Sequence, residues 1–450
     1  MTERDAANAP QNAAFLSQTA LTLASQPLLL LLGAVSSVVI ARALGPVGRG
    51  EVAAAAVGPA LVVAFLSVGF GIGNVYFLSK REVQPAAALG SALVVSVGTS
   101  VIGIAIYLIG ASAFRTSLLH DLQVPFVLVG ALLIPASLFG RNILSVAQGL
   151  RRMALWNLAS LISAAAVVAL YVVTLVLLHL GALSALVAIV VATVLSVVIP
   201  AAWLWKLFPN WSFDLRFATR AIRFGCIGEA GNVLQLLVYR LDVLLVTALL
   251  GFAAAGTYTV AFTLSEILWQ VPNAAGLILF PRVASGRGDT TAITARLVRL
   301  TLALLLIEGA VGAVLAPVLI PWIFSSRFEQ AVSAFWLLLP GGVLLGMGKL
   351  ISANLAGRGR PGLPSVGSAI AFVLTVSLDL SLIPRLGING ASIASSIAYT
   401  ASTLFVLIAF VRLTGIGWAH LLVVQPEDWR FTLREVRQQV HSLLGLVRAR

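Results

Sequence analysis

Stretches of about twenty consecutive apolar residues recur along the chain from Phe15 almost to Val411, broken only by short basic or Gly/Pro-containing segments. A bilayer core of about 30 Å is crossed by roughly 20 apolar residues in helical conformation, and no water is present there to satisfy an unpaired backbone. Twelve such spans can be placed, at 16–40, 53–78, 87–110, 123–147, 155–178, 183–205, 225–249, 256–280, 298–320, 332–354, 364–383 and 389–411. The runs are too long for strands and lack period-two alternation, which argues against a barrel. With 60% hydrophobic and 10% charged residues, the expected fold is an all-α integral membrane protein.

The net charge of +13 would suggest a nucleic-acid partner in a soluble chain, but topology accounts for it here. With the N-terminus in the cytoplasm, 21 of the 29 Lys and Arg fall on the cytoplasmic side and five outside, namely Arg42, Arg49, Arg115, Arg327 and Arg385. Arg141, Arg240 and Lys349 lie inside spans. That bias follows the positive-inside rule and predicts a multi-pass protein of the inner (cytoplasmic) membrane, both termini cytoplasmic, with no nucleic acid as partner. The single cysteine, Cys226, rules out an intrachain disulfide framework and a cysteine metal site. The histidines at 120, 179, 420 and 441 have no ligand spacing, so no metal or cofactor is expected. Residues 1–14 are polar and the first apolar run has no A-x-A exit, so the first span is expected to stay, kinked at Pro27.

Polar residues inside the spans carry the functional signal. The stretch Gly225–Gly251 holds Glu229, Asn232, Gln235, Tyr239, Arg240 and Asp242, which fall within roughly 160° of one helix face. A charge at the bilayer centre costs about 2.5–3.5 kcal/mol on insertion scales, so these groups need partners or a watery cavity. Both a salt bridge locking two helices and a helix lining a transport pathway satisfy that requirement. In the fourth span Ser137, Arg141, Ser145 and Gln148 form one stripe, and in the eighth Thr259, Thr263, Glu266, Gln270 and Asn273 form another. Glu266 is expected to pair with Arg240, both being thirteen positions from the turn near Ala253. The spans' acids (Glu229, Asp242, Glu266, Glu308 and Asp379) all fall in the second half, which suggests a proton or cation site in that half.

An internal repeat emerges at an offset of 206 to 208. LGPVGRGEVAAA (44–55) aligns with LGFAAAGTYTVA (250–261), QGLRR (148–152) with AGRGR (356–360), and LGALSALVA (180–188) with LGINGASIA (386–394). The chain thus divides into a tail (1–14), an N-lobe of six spans (15–205), a basic amphipathic linker (206–224), a C-lobe of six spans (225–412) and a cytoplasmic tail (413–450). Six being even, both lobes insert with one orientation. The same offset makes Arg141 and Lys349 pseudo-symmetry mates, either snorkelling to the interface or forming one anion site between the lobes. In the tail, Phe431–Val447 reads as an amphipathic helix for the anionic leaflet or a partner protein.

Two six-helix lobes, LGPVGRG (44–50), GFGIGNVYFLSKR (69–81), QGLRR (148–152) and YRLD (239–242) together resemble the Wzx-type polysaccharide (oligosaccharide) flippases of the MOP superfamily, which also holds MATE exporters and lipid II flippases. The resemblance spans about residues 15–412 and rests on the order of these motifs. It implies a V-shaped transporter, not an enzyme, that moves a polyprenyl-pyrophosphate-linked oligosaccharide from inner to outer leaflet by alternating access. Its partners would be that substrate, membrane lipids and polysaccharide assembly proteins. The resemblance also implies a cationic cavity, matched here by Arg141, Arg240 and Lys349. Coupling to an H+ or Na+ gradient stays open. A MATE-like cation-coupled exporter, a membrane-embedded glycosyltransferase or ligase, and a scaffold are the competing readings; short outer loops with few acids disfavour the enzyme.

Overall fold

The computed structural model describes residues 3–425, apart from 115, 116, 118–121, 285, 287 and 288, together with Asp428; side chains are described from Ser25 onward, residue 227 excepted. Fourteen α-helices follow in chain order: α1 (Glu3–Leu66), α2 (Phe70–Ser79), α3 (Pro85–Ala113), α4 (Val124–Gly149), α5 (Met153–Tyr171), α6 (Ala182–Leu207), α7 (Leu215–Leu250), α8 (Phe252–Ile267), α9 (Gln270–Ala284), α10 (Thr290–Phe324), α11 (Ala331–Gly357), α12 (Gly362–Leu386), α13 (Ile388–Thr414) and α14 (Trp418–Leu422). A π-helical turn, Val172–Leu177, extends α5. Among the described residues ten helices are long and apolar enough to cross a membrane.

Two local features reconcile these ten with the twelve expected spans. The first two spans merge into α1, whose backbone leaves helical geometry only at Gly45, at φ 67°. The backbone therefore stays helical through Pro27, and the bend falls at the glycine, which alone tolerates that conformation freely. The eighth span is cut into α8 and α9, each too short to cross alone. Pro272 explains the cut: it has no N–H for the carbonyl of Leu268, and its ring crowds that carbonyl. The second span breaks likewise between Ser67 and Gly69, where Val68 and Gly69 both take positive φ.

The 206-residue repeat is a structural one. Gly45 and its mate Gly251 share one left-handed conformation, at φ 67° and 84°. Arg151 and Gly359 do the same at the ends of α4 and α11, each closing its helix with the same pair of backbone hydrogen bonds. Within the N-lobe α3, α5 and α6 gather around α4, and within the C-lobe α10, α12 and α13 gather around α11. Each lobe buries two apolar clusters, one toward the Gly45 end and one toward the Lys80 end.

The linker and the tails depart from expectation. Residues 206–224 do not lie apart as a surface segment: α6 runs to Leu207 and α7 starts at Leu215, so most of the linker forms the opening turns of a 36-residue helix. Those turns pack Phe217 and Phe224 against Phe70, Tyr76 and Phe77 of α2, burying Phe217, Ala218 and Ala221 while Arg216, Arg220 and Arg223 stay exposed. Helix α1 begins at Glu3, well before residue 15. The C-terminal segment turns back through α14 to α10, where buried Asp428 accepts from Arg299 at 2.6 and 2.7 Å and from Arg296 at 3.1 Å. The Arg299 guanidinium holds the Asp428 carboxyl down at about 2. The amphipathic stretch Phe431–Val447 lies outside the described residues.

The lobes meet through glycines. A Cβ on Gly50 would stand 1.8 Å from the Phe252 carbonyl oxygen, and one on Gly256 would stand 1.9 Å from that of Pro46. These contacts are reciprocal at the repeat offset, as an isologous two-fold interface requires. At the Lys80 end α2 meets α7 as closely, with Gly69 against Gly225 and Gly73 against Ala221. Gly50→Ala and Gly256→Ala are each expected to cost about 1–3 kcal/mol or more through overpacking against immobile backbone. Gly33→Ala, with nothing within 4 Å, serves as control. Thermal midpoints of the purified variants check this, and equal midpoints would show that the lobes do not meet there.

Candidate functional site

Helix α7 borders two cavities at the depth where α1/α2 and α8/α9 are broken. The larger, about 580 Å³, lies inside the C-lobe between α7, α9, α11, α12 and α13. Asn232, Gln235, Tyr239, Asn273 and Lys349 face it, joined by Ser and Thr hydroxyls of α11 to α13. Lys349 is the one charged residue of its lining, with its Nζ 5.2 Å from the Trp269 ring and 5.4 Å from that of Tyr239. Tyr239 stacks on Trp269 at 5.1 Å, and Tyr399 stands edge-on to both. Trp269 sits in the break between α8 and α9 and donates to the Gly342 carbonyl at 3.2 Å. The Pro272 break thus places a rigid aromatic wall against the lysine.

The second cavity, about 330 Å³, lies between the lobes and is lined by Ser67, Arg141, Asn142, Gln148, Glu229 and Asn232 among others. Here Arg141 of the N-lobe reaches across to Glu229 of the C-lobe at 2.8 Å. Glu229, 5% exposed, also accepts from Ser67 at 2.6 Å and from Asn232 at 3.3 Å. The broken backbone at Ser67–Gly69 brings that hydroxyl to the carboxylate. The two pseudo-symmetric cations therefore do not form one site between the lobes. They line separate cavities with Asn232 common to both, because Glu229 holds Arg141 at the interface while Lys349 lies against the Tyr239 and Trp269 rings.

Arg240 lines neither cavity. Its Nη2 lies 3.9 Å from Glu266 and its guanidinium 6.0 Å from the Phe262 ring, so it acts as a partner of α8. Glu266 is within electrostatic reach of both Arg240 and Lys349 and couples that pair to the cavity. Ser137 and Gln270 are half-buried on their helices, away from both linings. Glu308 of α10 stands apart, with one buried oxygen lacking a hydrogen-bond partner among the described residues.

Asp242 turns away from both cavities into the C-lobe core toward the Gly45 end. There it accepts from Tyr258 at 2.7 Å and from Ser395, and Asp379 of α12 is a close neighbour. Both carboxyls are fully buried. Asp242 Oδ1, both Asp379 oxygens, Thr375 Oγ1 and the Tyr399 hydroxyl find no partner among the described residues. These five atoms come from three helices, α7, α12 and α13. Sequence reasoning counted Asp379 among the intramembrane acids but did not join it to Asp242. Thr375, Ser395, Ser67 and Trp269 carried no distinguishing signal.

Removing one partner of a buried ion pair costs about 3–5 kcal/mol, and less where the pair is part-exposed as Arg240 and Glu266 are. Arg240→Gln and Glu266→Gln are each expected to lower the protein's level in the membrane. The double variant should restore the level while transport stays impaired, because Glu266 also faces Lys349. Immunoblots beside a transport assay read both, and single variants with full level and transport would show the contact to be idle.

The fold agrees with solved transporters. The chain aligns with an inward-facing multidrug resistance MATE family transporter of the MOP superfamily at TM-score 0.68 and 16% identity, covering 86% of this chain and 96% of that one. It aligns with the lipid II flippase MurJ in an inward closed conformation at TM-score 0.69 and 10% identity, covering 86% and 87%. Against an outward-facing MATE family transporter the TM-score is 0.60, at 16% identity and 87% and 96% coverage. No curated protein matches the chain. A family model described as "Polysaccharide biosynthesis protein" matches residues 39–333, which takes in the Gly45 turn, the Arg141–Glu229 contact and the broken eighth span. With that match over more than half its length, the chain belongs to the polysaccharide biosynthesis protein family, and its all-α fold is like those of the MATE family transporter and MurJ.

Proposed function

We propose that the protein is a flippase for lipid-linked oligosaccharide, moving a glycan on polyprenyl pyrophosphate from the inner to the outer leaflet of the cytoplasmic membrane by alternating access. The observation that carries this reading is the lining of the C-lobe cavity: one cation, an aromatic wall, and a ring of amides and hydroxyls. Aromatic faces and neutral hydrogen-bonding groups suit sugar rings, and Lys349 suits a phosphate. An organic cation would meet an ammonium with no carboxylate in that lining, which disfavours a MATE-like exporter. A glycosyltransferase most often uses a carboxylate or histidine as its general base, and the lining holds neither.

The coupling ion has a natural seat at Asp242 and Asp379. Two carboxyls this close either share a proton or bracket a cation, since two bare charges repel strongly in low dielectric. Orphaned oxygens from Thr375, Tyr399 and Asp379 supply the remaining donors for a hard monovalent cation such as Na+. Because Asp242 and Tyr239 stand on one turn of α7, filling the ion seat bears directly on the aromatic wall of the cavity. Membrane lipids surround the protein, and polysaccharide assembly proteins are its expected neighbours.

In a deletion strain carrying the variant, Lys349→Ala should leave protein level normal and make lipid-linked glycan accumulate in the inner leaflet, with Lys349→Arg recovering part of the export. Asp379→Asn should abolish the dependence of export on a Na+ or H+ gradient imposed on vesicles. Wild-type export by Lys349→Ala would remove the cavity from the substrate path. Orientation is tested separately with reporters, since the charge bias puts both termini in the cytoplasm. A cytoplasm-active reporter should work after Arg450 and in the Arg282–Arg296 loop, and one active only outside should work near Glu329. Reversed activities would overturn the orientation.

A further inference from the structure

Three of the five arginines assigned to the outer side converge on the Gly45 turn. Arg49 is buried, 6% exposed, at the seam between α1 and α8. Its guanidinium donates to the Ser37 carbonyl at 2.7 Å, the Ser37 hydroxyl at 3.0 Å, the Thr259 hydroxyl at 3.0 Å and the Thr259 carbonyl at 3.5 Å, and lies 5.9 Å from the Phe324 ring. Every acceptor is neutral. Arg42 donates to the carbonyls of Trp322 and Ile323 at the end of α10, and Arg327 holds its guanidinium against Gly45, 3.3 Å from where a Cβ would stand. No carboxylate lies within 4 Å of any of the three among the described residues.

A buried guanidinium with no counter-ion is costly, and a structural staple between lobes would be better served by the carboxylate partner that Arg141 has. Two of Arg49's acceptor atoms belong to Thr259, across the seam, so they leave when the lobes part at this end. Arg49 is then a cation released from half its hydrogen bonds at the mouth of the opening, with Arg42 and Arg327 beside it. We propose that this cluster, centred on Arg49, is an anion site that forms only when the Gly45 end opens and that receives the pyrophosphate head of the departing substrate. The proposal rests on the flippase reading and on the orientation that puts Gly45 outside. The closed seam hides the site from lipid and solute, while the released guanidinium rewards opening in the presence of the anion, since a ligand shifts a conformational equilibrium only by its differential affinity for the two states.

The test uses purified protein with Cys226→Ser and Val57→Cys, because Val57 is buried in the C-lobe's core cluster across the seam and is reachable only when the lobes part there. In phosphatidylcholine nanodiscs, whose lipids carry no net charge, inorganic pyrophosphate should raise the rate of maleimide labelling at position 57 several-fold. Arg49→Gln should raise basal labelling, because its bonds to Thr259 across the seam are lost, and abolish the pyrophosphate response; Arg49→Lys should keep part of it. Arg42→Gln with Arg327→Gln, which leaves the buried residue intact, should weaken the half-saturating concentration. A wild-type rate indifferent to pyrophosphate, or an unchanged response in Arg49→Gln, overturns the site. The same rise with phosphatidylglycerol and no pyrophosphate also overturns it, since the ligand would then be bilayer lipid. Export is not read here, so a chain that exports glycan without this response loses only the Arg49 site, and one that responds without exporting loses only the glycan assignment.

Discussion

Backbone against backbone, with no side chain between, is the contact on which the arrangement depends. In a bilayer the hydrophobic effect does not drive helices together, and close association relies on dispersion between surfaces that small residues allow to touch. Gly50 against Phe252 and Gly256 against Pro46 provide that at the Gly45 end, and Gly69 with Gly225 provides it at the Lys80 end. Such seams are short and smooth. They hold the lobes in register through close backbone contact with little side-chain bulk between them.

Polar groups are spent where those seams and the broken helices leave backbone or charge unsatisfied. Ser67 and Glu229 meet at one break, and Trp269 with Lys349 meet at the other. The breaks are tolerated because they line cavities rather than lipid. Discontinuous helices in corresponding halves are a recurring way for transporters to place binding groups near mid-membrane. In this chain they serve different ends: one carries an ion pair between lobes, the other a cationic and aromatic cavity within a lobe. A two-fold scaffold thus supports an asymmetric site.

That asymmetry follows from where the acids lie. Glu229 holds Arg141 in the cavity between the lobes, and Glu266 takes Arg240 toward α8, which leaves Lys349 as the cation facing the larger cavity. The Asp242–Asp379 pair lies deeper, and Tyr399 stands between it and the aromatic wall, being an edge-on neighbour of Tyr239 and Trp269 with its hydroxyl unpartnered beside the carboxyls. The carboxyl pair and the larger cavity therefore share α7 and α13.

The apolar runs by themselves determined an all-α membrane fold, its division into two lobes and the pairing of Arg240 with Glu266, because span length, glycine spacing and hairpin depth are local quantities that a linear pattern records. The repeat offset likewise announced that Gly45 and Gly251 would share a conformation, since both must turn the chain where no other residue does so cheaply. Tertiary structure decided the rest. Arg141 and Lys349 looked equivalent along the chain, yet a carboxylate contributed by another lobe captures one and an aromatic wall receives the other. Asp379 was visible as a buried acid, but its meeting with Asp242 depends on how α12 lies against α7. Arg49 read as an ordinary outer-loop charge, and only the closing of α1 on α8 buries it. Residues brought together from distant helices leave no periodicity in sequence, because their proximity is set by lobe packing and not by the rise of any single helix.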